Sequence, residues 1–203
     1  MAINGYKLIY FFSTVVLALI PCGIVYIINF KIKNSWQKTS LTNKLLFVFL
    51  FIIWFFFFPN TVYLFTKIRY IIGYCSSLDP LVVCPESVWM MIFFFFHALI
   101  GLPCFYCALK IMKNVLSRLS SKATGQILPI IMIPISSIGI MIGLLGRYNS
   151  SDLLFHPIKI ARETVSYLND PNIVLNIFVF TIFLYIIYYC LDYLLKINKI
   201  KQK

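Results

Sequence analysis

Two short segments hold the residue types best suited to chemistry. The first is Phe58-Pro59-Asn60-Thr61-Val62-Tyr63-Leu64, at the end of an unbroken apolar run that starts at Leu45. At 1.5 Å per residue, that run covers about 21 Å before Pro59 is reached. Proline lacks the amide proton a helix needs, so it frees carbonyls one turn back for other partners, and the Asn60 amide can reach them. A broken helix with an amide at membrane depth is one way to build a polar site; the simpler reading is a helix end with an Asn turn. The second segment is Gly146-Arg147-Tyr148-Asn149-Ser150-Ser151-Asp152. Lysines outnumber arginines fourteen to four here, so each guanidinium is a chosen one, and its planar fork suits a carboxylate or phosphate. Arg147, Asn149 and Asp152 could therefore hold an anionic ligand or orient a head group. Equally, Arg147 could pair with Asp152 and lock the loop. The expectation is that Asn60, Arg147 and Asp152 converge, with an opening beside them that reaches Tyr63 or His97.

Other chemistry-bearing side chains are sparse. There are two histidines; His97 lies among phenylalanines and His156 stands apart, so no metal site and no cofactor are expected. Cys104 and Cys107 form a C-x-x-C inside an apolar run, where they read as small buried hydrophobes. Cys75 and Cys84 sit nine apart in one polar stretch and could be bridged by a disulfide. No phosphate-cradling glycine loop, nucleophile elbow, paired carboxylates or metalloprotease motif occurs.

The elements that must position these residues follow from composition. Of 203 residues, 61% are hydrophobic and 12% charged, about half the charge a soluble domain carries, so the apolar excess must face lipid. Five apolar blocks, near 8–30, 45–66 (broken at Pro59), 88–112, 127–145 and 173–195, are each long enough to span as helices. The expected fold is all-α: a polytopic membrane helix bundle of about five transmembrane helices in one domain. One or two interfacial helices are expected beside it, on the outer side. Pro157–Leu168 places Ile158, Ala161, Val165 and Leu168 on one stripe, and Val62–Tyr74 carries Tyr63, Tyr70 and Tyr74 as anchors. Gly139, Gly143 and Gly146 form a small-residue face for close helix approach.

Charge then sets orientation. The segments 31–44, 110–122 and 196–203 share one side and hold twelve of the eighteen cations, and a single acid, Asp192, lies near that side. The other side holds six cations and five acids. The lysine-rich side is expected to be cytoplasmic, which puts the N-terminus outside and the basic tail inside. Lys196, Lys199, Lys201 and Lys203 of that tail would meet anionic lipid of the inner leaflet. The net charge of +12 is thereby explained without a nucleic-acid partner.

Together the two opening segments resemble the signatures of a bacterial integral membrane family catalogued as domain-of-unknown-function family thirteen sixty-one. That family shows a Leu-Pro-Asn-x-x-Tyr-Leu segment and a Gly-Arg segment closing on Trp-Asn-Ser-Trp-Asp. Here Tyr148 and Ser151 stand where the two tryptophans would be, and the likeness runs roughly from Leu45 to Asp170. It implies a multi-pass membrane protein and supplies no activity. Three classes remain: a non-catalytic protein binding a membrane-protein partner or lipid through its outer polar surface, an enzyme on a lipid-linked or peptide substrate, and a carrier or channel subunit. The first is favoured because it needs only the outer surface.

Overall fold

The computed structural model describes residues 2–3, 6–35, 41–67, 85–146, 148 and 155–201. A two-residue antiparallel pairing of β1 (Ala2–Ile3) with β2 (Tyr6–Lys7) leads into α1 (Leu8–Ser35). There follow α2 (Leu41–Phe57), α3 (Pro59–Tyr63), α4 (Pro85–Leu119), α5 (Lys122–Leu145), α6 (Pro157–Leu168) and α7 (Pro171–Lys201). Five stretches are long and apolar enough to cross a membrane: Phe12–Ile32, Leu41–Lys67, Met91–Leu119, Lys122–Leu145 and Pro171–Ile197. The shortest of them, at 1.5 Å per residue, still covers about 32 Å, enough for a hydrocarbon core of about 30 Å. The chain is thus an all-α polytopic bundle.

α4 is its central helix, packing against α1, α3, α5 and α7. Aromatic side chains at helical spacing build much of the core. Phe47, Phe51, Trp54 and Phe58 stack up one face of α2, and Phe58 passes the contact to Phe105 of α4, with ring centroids 5.0–6.0 Å apart. Such pairs add about 0.5–1.5 kcal/mol each beyond burial. The outward residues, Phe49, Ile52, Phe95, Phe96, Phe178 and Val179 among them, are exposed, as lipid-facing positions must be.

Prolines inside the helices create acceptors that the packing uses. Pro134 cannot donate to the carbonyl four residues earlier, that of Ile130. Tyr185 of α7 fills the gap, its hydroxyl donating to that carbonyl at 3.0 Å and tying α7 to α5. Two helix starts are capped by side chains. Ser121 accepts from the Thr124 amide at 3.1 Å to start α5, and Asp170 accepts from the Asn172 amide at 2.9 Å to start α7.

Three expectations change. α4 runs seven residues past 112, so Lys113 and Arg118 lie on the same helix as Lys110 and not in a loop. The segment from Val62 to Lys67 is no surface helix: Val62 and Leu64 are buried, and the second apolar stretch continues to Lys67. The break at Pro59 is also slight. Phe58 keeps helical dihedrals (φ −56°, ψ −41°), and its amide still donates to Trp54 at 2.8 Å. Asn60 donates from Nδ2 to the Phe57 carbonyl at 3.2 Å and Thr61 from Oγ1 to that of Phe58 at 2.8 Å, so polar side chains bond the turn and the helix resumes.

The interfacial helix α6 forms over Pro157–Leu168. Its apolar stripe points outward, with Ile158 76% exposed, while Ile160 tucks under at 5%. An interface-plane helix should present its apolar stripe to lipid in this way.

Candidate functional site

Polar side chains gather at the bundle end formed by α3, the start of α4, the end of α5 and α6. Tyr63 and Lys67 are four residues apart on one helical face, and the Lys67 ammonium lies 4.8 Å from the Tyr63 ring centroid. A cation over an aromatic ring gains about 0.5–2 kcal/mol as it loses water. Lys67 needs that help, being only 7% exposed. Thr66 tightens the same turn by donating to the Tyr63 carbonyl at 2.8 Å.

α4 brings His97 into electrostatic reach of Lys67. His97 is fully buried, with Phe93 and Phe94 rings at 4.8 and 5.6 Å, and its Nδ1 stands 3.0 Å from the Phe93 carbonyl. A carbonyl only accepts, so the neutral ring carries its proton on Nδ1 and offers an acceptor at Nε2.

Glycines allow these helices to meet. A methyl group on Gly101 would stand 2.8 Å from the Thr61 carbonyl oxygen and 3.0 Å from Leu64 Cβ, so α4 and α3 touch backbone to backbone there. On α5, a methyl on Gly143 would stand 3.4 Å from Cε2 of Tyr63 and 3.6 Å from the Tyr148 carbonyl oxygen. One on Gly139 would lie 3.5 Å from Pro59. The small-residue face of α5 is therefore the seat of α3, and it sets Tyr63 beside Tyr148.

Tyr148 links the cluster to α6. Its hydroxyl donates to Glu163 Oε1 at 2.6 Å, and the Lys159 ammonium lies 5.3 Å from its ring centroid. Burial, reinforced by the Glu163 charge, holds the Tyr167 phenol above the ordinary tyrosine range. The inner side of α6 thus joins the buried Ile160 to a polar contact between Glu163 and Tyr148, and its outer face is apolar.

Of the candidate residues from the sequence, Tyr63 lies under Lys67 and His97 is within electrostatic reach of that lysine, and Asn60 lies one turn before Tyr63 with its amide on the Phe57 carbonyl. Arg147, Asn149 and Asp152 lie outside the described residues, as do Cys75 and Cys84. Lys67, Tyr148 and Glu163 are participants the sequence reading passed over. For Lys67, its position four residues after Tyr63 was a readable sign. Among the described residues, no trio of His, Cys, Asp or Glu is placed to hold a metal ion. Cys22 donates from Sγ to the Cys104 carbonyl at 3.4 Å. Cys107, expected to be buried, is exposed on the outside of α4.

A second cluster lies at the lysine-rich end. Asp192 of α7, 9% exposed, accepts at Oδ1 from the Tyr106 hydroxyl at 2.9 Å and from Lys110, both on α4, and at Oδ2 from Lys196 at 2.8 Å. Tyr188 packs on Tyr106 with ring centroids 5.7 Å apart. The carboxylate is compensated by two cations and a phenol, which is what a charge needs at this depth.

These features define a class: a multi-pass α-helical membrane protein with a polar cluster at one end of the bundle and a charge lock near the other. The chain belongs to the family described as Protein of unknown function (DUF1361), whose model matches residues 14–187. The match extends on both sides of the Leu45–Asp170 stretch that carried the resemblance. Neither the curated proteins nor the solved structures give a match.

Proposed function

We propose that this chain is a non-catalytic binding protein of the cell membrane, which holds an anionic group of a partner molecule at the Tyr63–Lys67–His97 cluster. The observation that carries the reading is Lys67, an ammonium 7% exposed at the end of a membrane stretch and held over the Tyr63 ring. A lysine is costly inside hydrocarbon, by about 2.5–3.5 kcal/mol at a helix centre. An anion reaching it would gain a charge-assisted hydrogen bond of about 1.5–3 kcal/mol. Arg147, Asn149 and Asp152 belong to the same proposed surface, because they follow α5 directly and flank Tyr148.

Site-specific photo-crosslinking tests the reading. With p-benzoylphenylalanine in place of Tyr63, irradiation of native membranes should give a discrete adduct. Lys67→Met in the same protein should remove most of it, about tenfold or more for one lost charge-assisted bond. An adduct that survives Lys67→Met, or one equally strong from the lipid-facing position Phe178, would defeat the proposal.

The orientation proposed with it places this end outside and the lysine-rich end in the cytoplasm, because the latter holds most of the cations. A single-cysteine protein with Ser35→Cys should react with an impermeant maleimide only after the membrane is opened. Reaction in sealed right-side-out vesicles would reverse the topology.

A further inference from the structure

A groove of about 150 Å³ opens between α1 and α2 at the lysine-rich end, far along the helices from Lys67. Lys31 and Asn43 line it at the level where the two apolar stretches stop, at Ile32 on α1 and Leu41 on α2. Ile28, Leu46, Phe47 and Leu50 line it further in. Leu50 is seven residues beyond Asn43, so the apolar walls reach about 10 Å below the polar pair.

We propose that this groove holds one phospholipid with an anionic head group, its phosphate at Lys31 and Asn43 and the first part of an acyl chain between α1 and α2. The order of the lining is the argument. An ammonium and an amide sit at head-group depth, with aliphatic and aromatic walls directly beneath, which is the profile of an amphiphile standing in a leaflet. The volume fits: a cavity of about 150 Å³ lined by Leu, Ile and Phe side chains accepts a benzene-sized apolar group, comparable to a short run of methylenes. Charge selects the head group. Among the described residues the lining holds a cation and no carboxylate, and Lys44 follows Asn43 directly, so a net negative head is attracted and a zwitterionic one gains little. A free anion would satisfy Lys31 but leave the apolar walls uncovered. This site is independent of the Lys67 cluster and stands whether or not that proposal does.

Native mass spectrometry of the delipidated full chain tests it, with titrations of phosphatidylglycerol, phosphatidylcholine and inorganic phosphate. Wild-type protein should retain one phosphatidylglycerol in preference to phosphatidylcholine, and phosphate should not compete. Lys31→Gln should weaken retention about tenfold, the loss of one charge-assisted contact. Leu46→Trp, which fills the groove, should weaken both phospholipids, and Lys122→Gln, a cation at the same end but outside the groove, should change nothing. Lys31→Gln replaces an exposed side chain, so it keeps the test open should Leu46→Trp not fold. Equal retention of the two phospholipids, undiminished phosphatidylglycerol in Lys31→Gln, an equal loss in Lys122→Gln, or competition by inorganic phosphate would each overturn the proposal.

Discussion

Replacing Asp192 with alanine is expected to cost about 3–5 kcal/mol of stability, the range for breaking a buried ion pair from one side. Lys110, its side chain 26% exposed, would lose its counter-ion while still held against α7, and the Tyr106 hydroxyl would lose its acceptor. Lys196 contributes little to this loss because its side chain is 67% exposed and water can solvate it. The double replacement Lys110→Met with Asp192→Leu should recover most of the loss, since it removes both charges and leaves apolar volume between α4 and α7. Denaturant titration in mixed micelles reads both changes. An Asp192→Ala protein as stable as wild type would show that the cluster is not a lock, and a double variant as weak as the single one would show that the charge itself is needed.

That cluster also shows what the sequence could and could not reveal. Asp192 stood out as the single acid on a side with twelve cations, and its Lys196 partner is one helical turn away in the chain. Its other partners, Tyr106 and Lys110, are more than eighty residues distant, and only the packing of α4 on α7 brings them to the same carboxylate. The five spans were legible because hydrocarbon requires about twenty apolar residues in a row, a constraint that acts locally. Their ends were less so. Lys113 and Arg118 read as lying past the third span, yet a helix can run on past the apolar boundary with its cations reaching for the interface. The same reasoning explains Lys67. An insertion scale counts a lysine as a cost at the bilayer centre, and it has no entry for a Tyr63 ring four residues back or for a boundary position. For α6, periodicity located the helix and its stripe, while Glu163 on its inner side took its meaning from Tyr148, which lies beyond the helix in sequence.

Replacing Gly101 with valine is expected to cost about 2–3 kcal/mol and to disable the Lys67 site together with the fold around it. The reason is the backbone contact that seats α3. The first carbon of any side chain at position 101 would lie 2.8 Å from the Thr61 carbonyl oxygen, 3.0 Å from Leu64 Cβ and 3.3 Å from Phe65 Cε1. Two of those atoms are main chain or directly attached to it, so no rotamer change relieves the clash and the helices must part. Alanine would regain about 0.8–1 kcal/mol of helix propensity over glycine, which hides part of the strain. Valine adds two more methyl groups in the same gap. Because Tyr63 and Lys67 ride on the segment that moves, and His97 is one turn before Gly101 on the helix that stays, their spacing must change with it. Gly23 provides the control. A methyl there meets nothing within 4 Å, so Gly23→Val should leave stability within about 0.5 kcal/mol, as at an ordinary surface position. Gly101→Val should therefore lower the unfolding midpoint and abolish crosslinking from Tyr63, while Gly23→Val keeps both. If the two variants behave alike, the close approach of α3 and α4 is not what holds the cluster, and the site must be assembled by the α5 seat at Gly139 and Gly143 alone.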